Sequence, residues 1–261
     1  MRDLPIGVFD SGIGGLTVVK EIINTLPNES ILYIGDTARV PYGTRGKKVI
    51  TKFALELANF LIKKKIKVLV VACNTISATC LKEIEKVSPV PVIGVIQPAA
   101  QHALTITKNG KIGVIGTRAT IGSKVYEENL GKNTEVKLMS CPLFVPLAEE
   151  GLISSPATKI IAKEYLNKFT DGLDTLILGC THYPVLRKVI QQVVGKKVTL
   201  VDSAKPTALT LNKLLKRINM LSSSAKPRYE FFVTDAPKRV FEVANILFEG
   251  KLPAPLRLTS L

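Results

Sequence analysis

Lys67-Val68-Leu69-Val70-Val71-Ala72-Cys73-Asn74-Thr75 and Asp174-Thr175-Leu176-Ile177-Leu178-Gly179-Cys180-Thr181-His182 are two versions of one pattern. Each is a short apolar run rich in β-branched or aliphatic residues that ends on a cysteine followed by hydroxyl, amide or imidazole groups. Such runs read as buried parallel strands, and the polar cluster falls at the strand's carboxyl end. A second pair repeats at nearly the same separation. Ile6-Gly7-Val8-Phe9-Asp10-Ser11 is echoed by Ile112-Gly113-Val114-Ile115-Gly116-Thr117, 106 positions on (6 to 112), against 107 for the cysteines (73 to 180). Similarity between any two parallel strands would explain the valines and isoleucines. It would not explain a cysteine at the same strand end twice, so the chain reads as an internal duplication.

Working outward, strand-like runs fall at 6–9, 31–34, 68–72, 92–95, 111–115, 135–139, 173–178 and 198–201. Amphipathic stretches lie between them at 16–26, 47–64, 75–86, 98–107, 156–169 and 185–194. In the second of these, Phe53, Leu57, Phe60 and Leu61 follow helical spacing and would pack on a sheet. This alternation predicts an α/β fold: two similar, pseudo-symmetric lobes with mostly parallel sheets flanked by helices, and an active site in the cleft between them. The lobes are expected at 1–97 and 98–207. A C-terminal segment, 208–261, would pack back on the first lobe, because Tyr229-Glu230-Phe231-Phe232-Val233 reads as one more strand. The only soft stretch is 222–227.

Composition narrows the class. The 261 residues suffice for one large or two small α/β units, and 46% apolar residues is ordinary for a water-soluble enzyme. No apolar run reaches the roughly 18 residues that span a bilayer. The opening Met1-Arg2-Asp3-Leu4-Pro5 leads straight into a strand, so no signal peptide is read. Four cysteines without a Cys-x-x-Cys pair form no disulfide framework, which suits a reducing cytoplasm. A net charge of +15 favours anionic partners. The charge is dispersed, however, in groups such as Lys47-Lys48, Lys63-Lys64-Lys65 and Lys196-Lys197, with no accompanying nucleic-acid motif. Solvated helix faces account for most of it, and no nucleic acid or membrane is required.

In open α/β sheets ligands bind beyond the carboxyl ends of the strands. Asp10-Ser11, Asp36-Thr37, Cys73-Asn74-Thr75 and Cys180-Thr181-His182 all occupy that edge. Two thiols on opposite sides of a cleft suit inversion of a carbon stereocentre. One thiolate removes a proton while the opposing thiol supplies another, which needs no cofactor. Both cysteines precede helical stretches, where the amide dipoles would favour thiolate. Asp10 and His182 are the natural helpers, one in each lobe. Cys80, Cys141 and His102 read as structural. Asp10-Ser11-Gly12-Ile13-Gly14-Gly15 forms a glycine turn whose amides could hold a carboxylate. The rival reading is a dinucleotide fingerprint, but the third glycine is missing and Asp10 would repel a pyrophosphate. No P-loop and no metal-ligand set is evident.

These motifs resemble those of glutamate racemases. The likeness is carried by Ile6-Gly7-Val8-Phe9-Asp10-Ser11-Gly12-Ile13-Gly14-Gly15-Leu16-Thr17-Val18, by Tyr33-Ile34-Gly35-Asp36-Thr37-Ala38-Arg39-Val40-Pro41-Tyr42-Gly43, and by the two cysteine segments, the second continuing to Tyr183-Pro184. It spans nearly the whole chain and weakens in the tail. Aspartate and hydantoin racemases share the cysteines but usually lack this opening. The resemblance implies cofactor-independent interconversion of L- and D-glutamate, with the D-isomer supplied for peptidoglycan. It implies that Cys73 deprotonates D-glutamate and Cys180 L-glutamate, with Asp10 and His182 as helpers and Asp36 as a further acid. A glutamate near the second cysteine is implied at Glu149, with Glu150 the adjacent register. Substrate contacts are implied at Asp10, Ser11, Pro41, Tyr42, Gly43, Asn74, Thr75, Thr117, Thr120, Thr181 and His182. A homodimer is compatible with the chain. A nucleic-acid-binding protein, an aspartate racemase and a decarboxylase remain as other readings.

Overall fold

Two parallel sheets carry the chain, and each places its most buried strand at the centre. A computed structural model describes residues 2–167, 169–235, 238–248, 250 and 252–261. Strands β1 (Ile6–Asp10), β2 (Ile31–Gly35), β3 (Val68–Val71) and β4 (Val92–Gly94) alternate with helices α1 (Leu16–Thr25), α2 (Lys47–Lys63) and α3 (Asn74–Val87). Helix α4 (Ile96–Ile106) leads to β5 (Lys111–Gly116), then α5 (Arg118–Gly122), α6 (Val125–Leu130), β6 (Glu135–Ser140), α7 (Phe144–Glu149) and α8 (Pro156–Leu166). Strand β7 (Thr175–Gly179), a 3-10 turn (Tyr183–Leu186), α9 (Arg187–Val194), β8 (Thr199–Asp202) and α10 (Ala204–Arg217) follow. Strand β9 (Tyr229–Val233), α11 (Lys238–Phe248) and β10 (Leu256–Leu258) complete the chain.

The six-stranded sheet runs β10-β9-β2-β1-β3-β4 and the four-stranded sheet β6-β5-β7-β8, with every pairing parallel. Stripped of its last two strands, the first sheet has the order 2-1-3-4, and the second repeats it as 6-5-7-8. The sequence duplication therefore corresponds to a duplicated strand order. The last pair is Phe9 with Val71 in one sheet and Gly116 with Gly179 in the other, so Cys73 and Cys180 follow their strand's last such residue by two positions and one.

Burial explains why these runs are strands. All five residues of β1 and of β7 are buried, as expected where helices cover both faces of a parallel sheet. Alternate residues serve opposite faces. Ile6, Val8, Val68 and Val70 pack with Leu16, Val19 and Ile22 of α1, whereas Phe9, Leu69 and Val71 pack with Ile50, Leu57 and Leu61 of α2. Helix α10 lies across α1 and also reaches α4, burying Ala208, Leu211 and Leu215 on the first sheet. Its exit is pinned by Lys67, whose ammonium donates to the Met220 carbonyl at 2.9 Å and pairs with Glu29 at 2.5 Å. The stretch read as soft is tied at its start, since the Ser222 amide donates to Glu29 Oε1 and its hydroxyl to Asp3 Oδ1, each at 2.8 Å.

Observed element ends differ from the sequence reading by at most two residues, except that α8 ends three residues early and the last amphipathic stretch opens as a 3-10 turn before α9. Helices α5, α6, α7, α10 and α11 and strand β10 are not in the sequence reading. Among the described residues no helix is long and apolar enough to cross a membrane.

Candidate active site

Both sheets present their carboxyl ends to one cleft. Its wall is formed by Ser11, Val40, Pro41, Tyr42, Gly43, Cys73, Asn74, Thr75, Thr117, Val145, Cys180, Thr181 and His182. The space left inside is about 20 Å3, room for roughly one water molecule. The cleft is closed.

On one side, β1 ends on Asp10, which is wholly buried. The chain then turns so that the Gly15 amide donates to Asp10 Oδ2 at 2.7 Å. The turn is close-packed: a Cβ on Gly35 would lie 2.0 Å from the Gly12 carbonyl oxygen, and only glycine fits there. Burial raises the Asp10 carboxyl above the ordinary carboxylate range, opposed by His182 and by the Gly15 amide. Cys73 caps the start of α3, with its Sγ 3.2 Å from Ser11 Oγ. Its thiol is pushed far up by burial and secondarily by the Asp10 charge, with the Ser11 hydroxyl acting against them. This corrects the expectation that the helix dipole would favour thiolate at Cys73, where desolvation outweighs the helix N-terminus. Cys180 precedes a four-residue 3-10 turn that runs into α9.

On the other side, β7 delivers Cys180, and His182 Nδ1 lies 3.8 Å from its Sγ. The opposite ring nitrogen, Nε2, stands 3.2 Å from Glu149 Oε1 at the end of α7. Burial acts to lower the His182 pKa, but contacts with Cys180 and Glu149 prevail and hold it well above the usual imidazole value. Of the two registers expected for this glutamate, the structure sets Glu149 against the His182 ring.

The two sides touch. Thr75 Oγ1 lies 2.9 Å from Thr117 Oγ1 and 3.4 Å from Thr120 Oγ1, while Thr117 and Thr120 are 3.0 Å apart. The Thr181 hydroxyl reaches Asp10 Oδ2 at 3.5 Å, and the Ala119 amide donates to the Gly43 carbonyl at 3.2 Å. This triangle of hydroxyls can receive a carboxylate; the turn at residues 12–15, expected to offer amides for one, is not part of the cleft wall, and its Gly15 amide donates to Asp10 instead. The two thiols can address a carbon atom between them. Among the described residues no three His, Cys, Asp or Glu side chains are grouped to hold a metal ion.

Residues 6–210 match the Asp/Glu/Hydantoin racemase family. The chain belongs to that family. It is 47% identical over 252 residues to a glutamate racemase from Geobacter metallireducens, covering 95% of this chain and 93% of that one. With the glutamate racemase of Enterococcus faecalis it shares 48% over 246 residues, covering 92% and 90%. Among solved structures, a glutamate racemase from Francisella tularensis in complex with D-glutamate superposes with a TM-score of 0.93 at 39% identity, covering 100% of this chain and 98% of that one. An aspartate racemase from Picrophilus torridus, 19% identical with a TM-score of 0.57 over 83% of this chain and 99% of that one, shares the fold.

Within this racemase, Ser11, Pro41, Tyr42, Gly43, Cys73, Asn74, Thr75, Thr117, Cys180, Thr181 and His182 all line the cleft. Four residues singled out from sequence lie behind its wall. Asp10 supports Cys73 and Thr181, Thr120 supports Thr117, and Glu149 acts through His182. Asp36 is set deeper. It accepts hydrogen bonds from Arg39 Nε at 2.6 Å, from the Tyr42 hydroxyl and from Thr234 at 2.8 Å, so it braces Tyr42 and does not face the cleft. Sequence reasoning missed Val40 and Val145, apolar wall residues with no distinguishing signal. It also missed Tyr126 and Ser203 behind Asn74.

Proposed function

We propose that this racemase interconverts L- and D-glutamate without a cofactor, by two-base proton transfer between Cys73 and Cys180, in the cytoplasm, supplying D-glutamate for peptidoglycan. The observation that carries the reading is the placement of two thiols on one closed cleft, one from each copy of a duplicated strand order. Relatives named glutamate racemases, 47% and 48% identical over more than nine-tenths of the chain, support glutamate as the substrate.

In the L-to-D direction the Cys180 thiolate takes the α-proton and the Cys73 thiol delivers its own to the opposite face. Cys180 ends as thiol and Cys73 as thiolate, and the D-to-L direction reverses both transfers. His182, held protonated between Cys180 and Glu149, exchanges a proton with Cys180, and Asp10 serves Cys73. Burial favours the neutral Cys73 thiol before turnover, which matches its role as acid toward L-glutamate. A cleft with room for one water must open to admit an amino acid, and reclosure removes bulk water from the reacting carbon.

The test is circular dichroism of the purified protein with each glutamate enantiomer. Loss of signal toward a racemic mixture from both sides is expected. Racemisation of aspartate with glutamate untouched would overturn the substrate assignment, and salt-sensitive DNA binding with an idle cleft would overturn the enzymatic one.

A further inference from the structure

Tyr126 stands between the two cysteine-bearing loops. It is the second residue of α6, 1% exposed, and its hydroxyl donates to Asn74 Oδ1 at 2.7 Å. Helix α6 follows β5 of the four-stranded sheet, whereas Asn74 follows β3 of the six-stranded sheet, so this hydrogen bond crosses from one sheet's loops to the other's. The same ring packs beneath the end of β7. A Cβ on Gly179 would meet Tyr126 Cε2 at 3.1 Å, and the next residue is Cys180. One side chain thus touches the residue after the first cysteine and the residue before the second.

Hydrogen-bond chemistry decides what that contact does. A carboxamide carries an acceptor oxygen and a donor nitrogen in fixed relation, and rotation by half a turn exchanges them. Burial, reinforced by the Cys180 charge, drives the Tyr126 phenol far above its ordinary range, so it remains a proton donor. Donation from Tyr126 fixes Oδ1 on the α6 side. The amide nitrogen is then turned away, 3.4 Å from Ser203 Oγ at the start of α10, and one N–H remains for the cleft that Asn74 lines.

We propose that Tyr126 is a positioning residue, which locks Asn74 as a hydrogen-bond donor toward the cleft and thereby selects a carboxylate at that wall. A carboxylate only accepts hydrogen bonds, so a freely rotating amide would present the wrong atom part of the time. This inference rests on the amino-acid racemase reading of the cleft.

Tyr126→Phe keeps the ring and removes only the donor. The KM for both glutamate enantiomers should rise about tenfold, the scale of one buried hydrogen bond, with kcat changed less than about threefold. The ratio of kcat/KM in the two directions must stay fixed, since the equilibrium constant is unaltered. In nitrogen-15 spectra the Asn74 side-chain amide should exchange with solvent about tenfold faster than in the unmodified protein. A purely structural role would instead lower the melting temperature and kcat, leaving KM and the amide exchange in place, and that pattern would overturn the proposal. Should the phenylalanine variant fail to fold, Ser203→Ala removes the opposite anchor without touching the ring. It should raise KM by a smaller factor in the same direction, and an unchanged KM would overturn the proposal. If the unmodified enzyme does not turn over glutamate, the functional reading fails. The amide-exchange comparison still decides separately whether Tyr126 holds Asn74.

Discussion

Replacing Gly14 by alanine tests whether the closed cleft is the working state. Gly14 sits in the turn after Asp10 and does not occupy the left-handed backbone region, so alanine costs nothing there through φ. The obstacle is steric. An added Cβ would lie 2.4 Å from Thr181 Oγ1, 2.9 Å from Thr181 Cβ and 3.0 Å from His182 Nδ1. Ordinary contact requires about 3.5 Å or more, so the turn carrying Asp10 and the loop carrying Cys180 must separate by about 1 Å. Local overpacking of this kind costs about 1–3 kcal/mol and would lower the melting temperature by roughly 2–4 °C per kcal/mol. A misplacement of about 1 Å between reacting groups costs on the order of a hundredfold in rate. The two costs trade against each other: if the cleft yields, activity falls about a hundredfold and the melting temperature hardly moves. Polarimetry or circular dichroism in both directions, beside thermal melts, reads both. Gly122→Ala is the control, because a Cβ there meets nothing within 4 Å. A Gly14→Ala enzyme with both kcat/KM within about threefold and a melting temperature within about 1 °C of the unmodified protein would refute the closed-cleft reasoning.

Further predictions concern the helpers. The His182 pKa is raised in the folded state, so the stability it contributes is complete below about pH 6.5 and is lost as pH rises through the folded value. Glu149→Gln removes one of the groups that raise it. The alkaline fall in melting temperature should therefore start at the same pH, end at lower pH and be smaller, and superimposable curves would contradict the pairing. Asp10 is the opposite case, a buried carboxyl whose raised pKa makes its ionised form a burden on the fold above about pH 4. Asp10→Asn should accordingly melt no lower than the unmodified protein at neutral pH while losing most activity, and calorimetry beside the kinetic assay checks both. Asp10→Asn and His182→Asn should also depress kcat unequally in the two directions while the ratio of kcat/KM values holds near one. Equal effects of both changes on both kcat values would argue against separate helpers.

Much of the fold was legible because parallel strands covered on both faces leave uninterrupted apolar runs, as in β1 and β7. The duplication made the cleft legible as well, since equivalent strand ends bear the two cysteines. Helix α10 escaped notice because its buried positions are largely small or polar, such as Ala204, Pro206, Thr207 and Ala208, and are interspersed with Lys205, Asn212 and Lys213. Strand β10 has three residues, and only its pairing with β9 defines it. In the site, Asp36 falls at the carboxyl end of an apolar strand run as Asp10 does, so sequence alone does not separate them. What separates them is the tail: β9 pairs with β2 on the side away from β1 and brings Thr234 onto Asp36. Tyr126 was illegible for a different reason. A buried aromatic side chain in a short helix is ordinarily core, and only the fold reveals that its hydroxyl meets Asn74.

On the proposed mechanism, Cys73 and Cys180 are two bases on opposite faces of one carbon. Racemisation of L-glutamate in deuterium oxide, stopped at low conversion and analysed for α-deuterium in each enantiomer, tests it most directly. Two bases predict D-glutamate carrying deuterium at the α-carbon while the remaining L-glutamate is almost unlabelled, and loss of racemisation in both directions in Cys73→Ala and Cys180→Ala. Rapid labelling of the recovered L-glutamate, or near-normal racemisation by either alanine variant, would contradict the account.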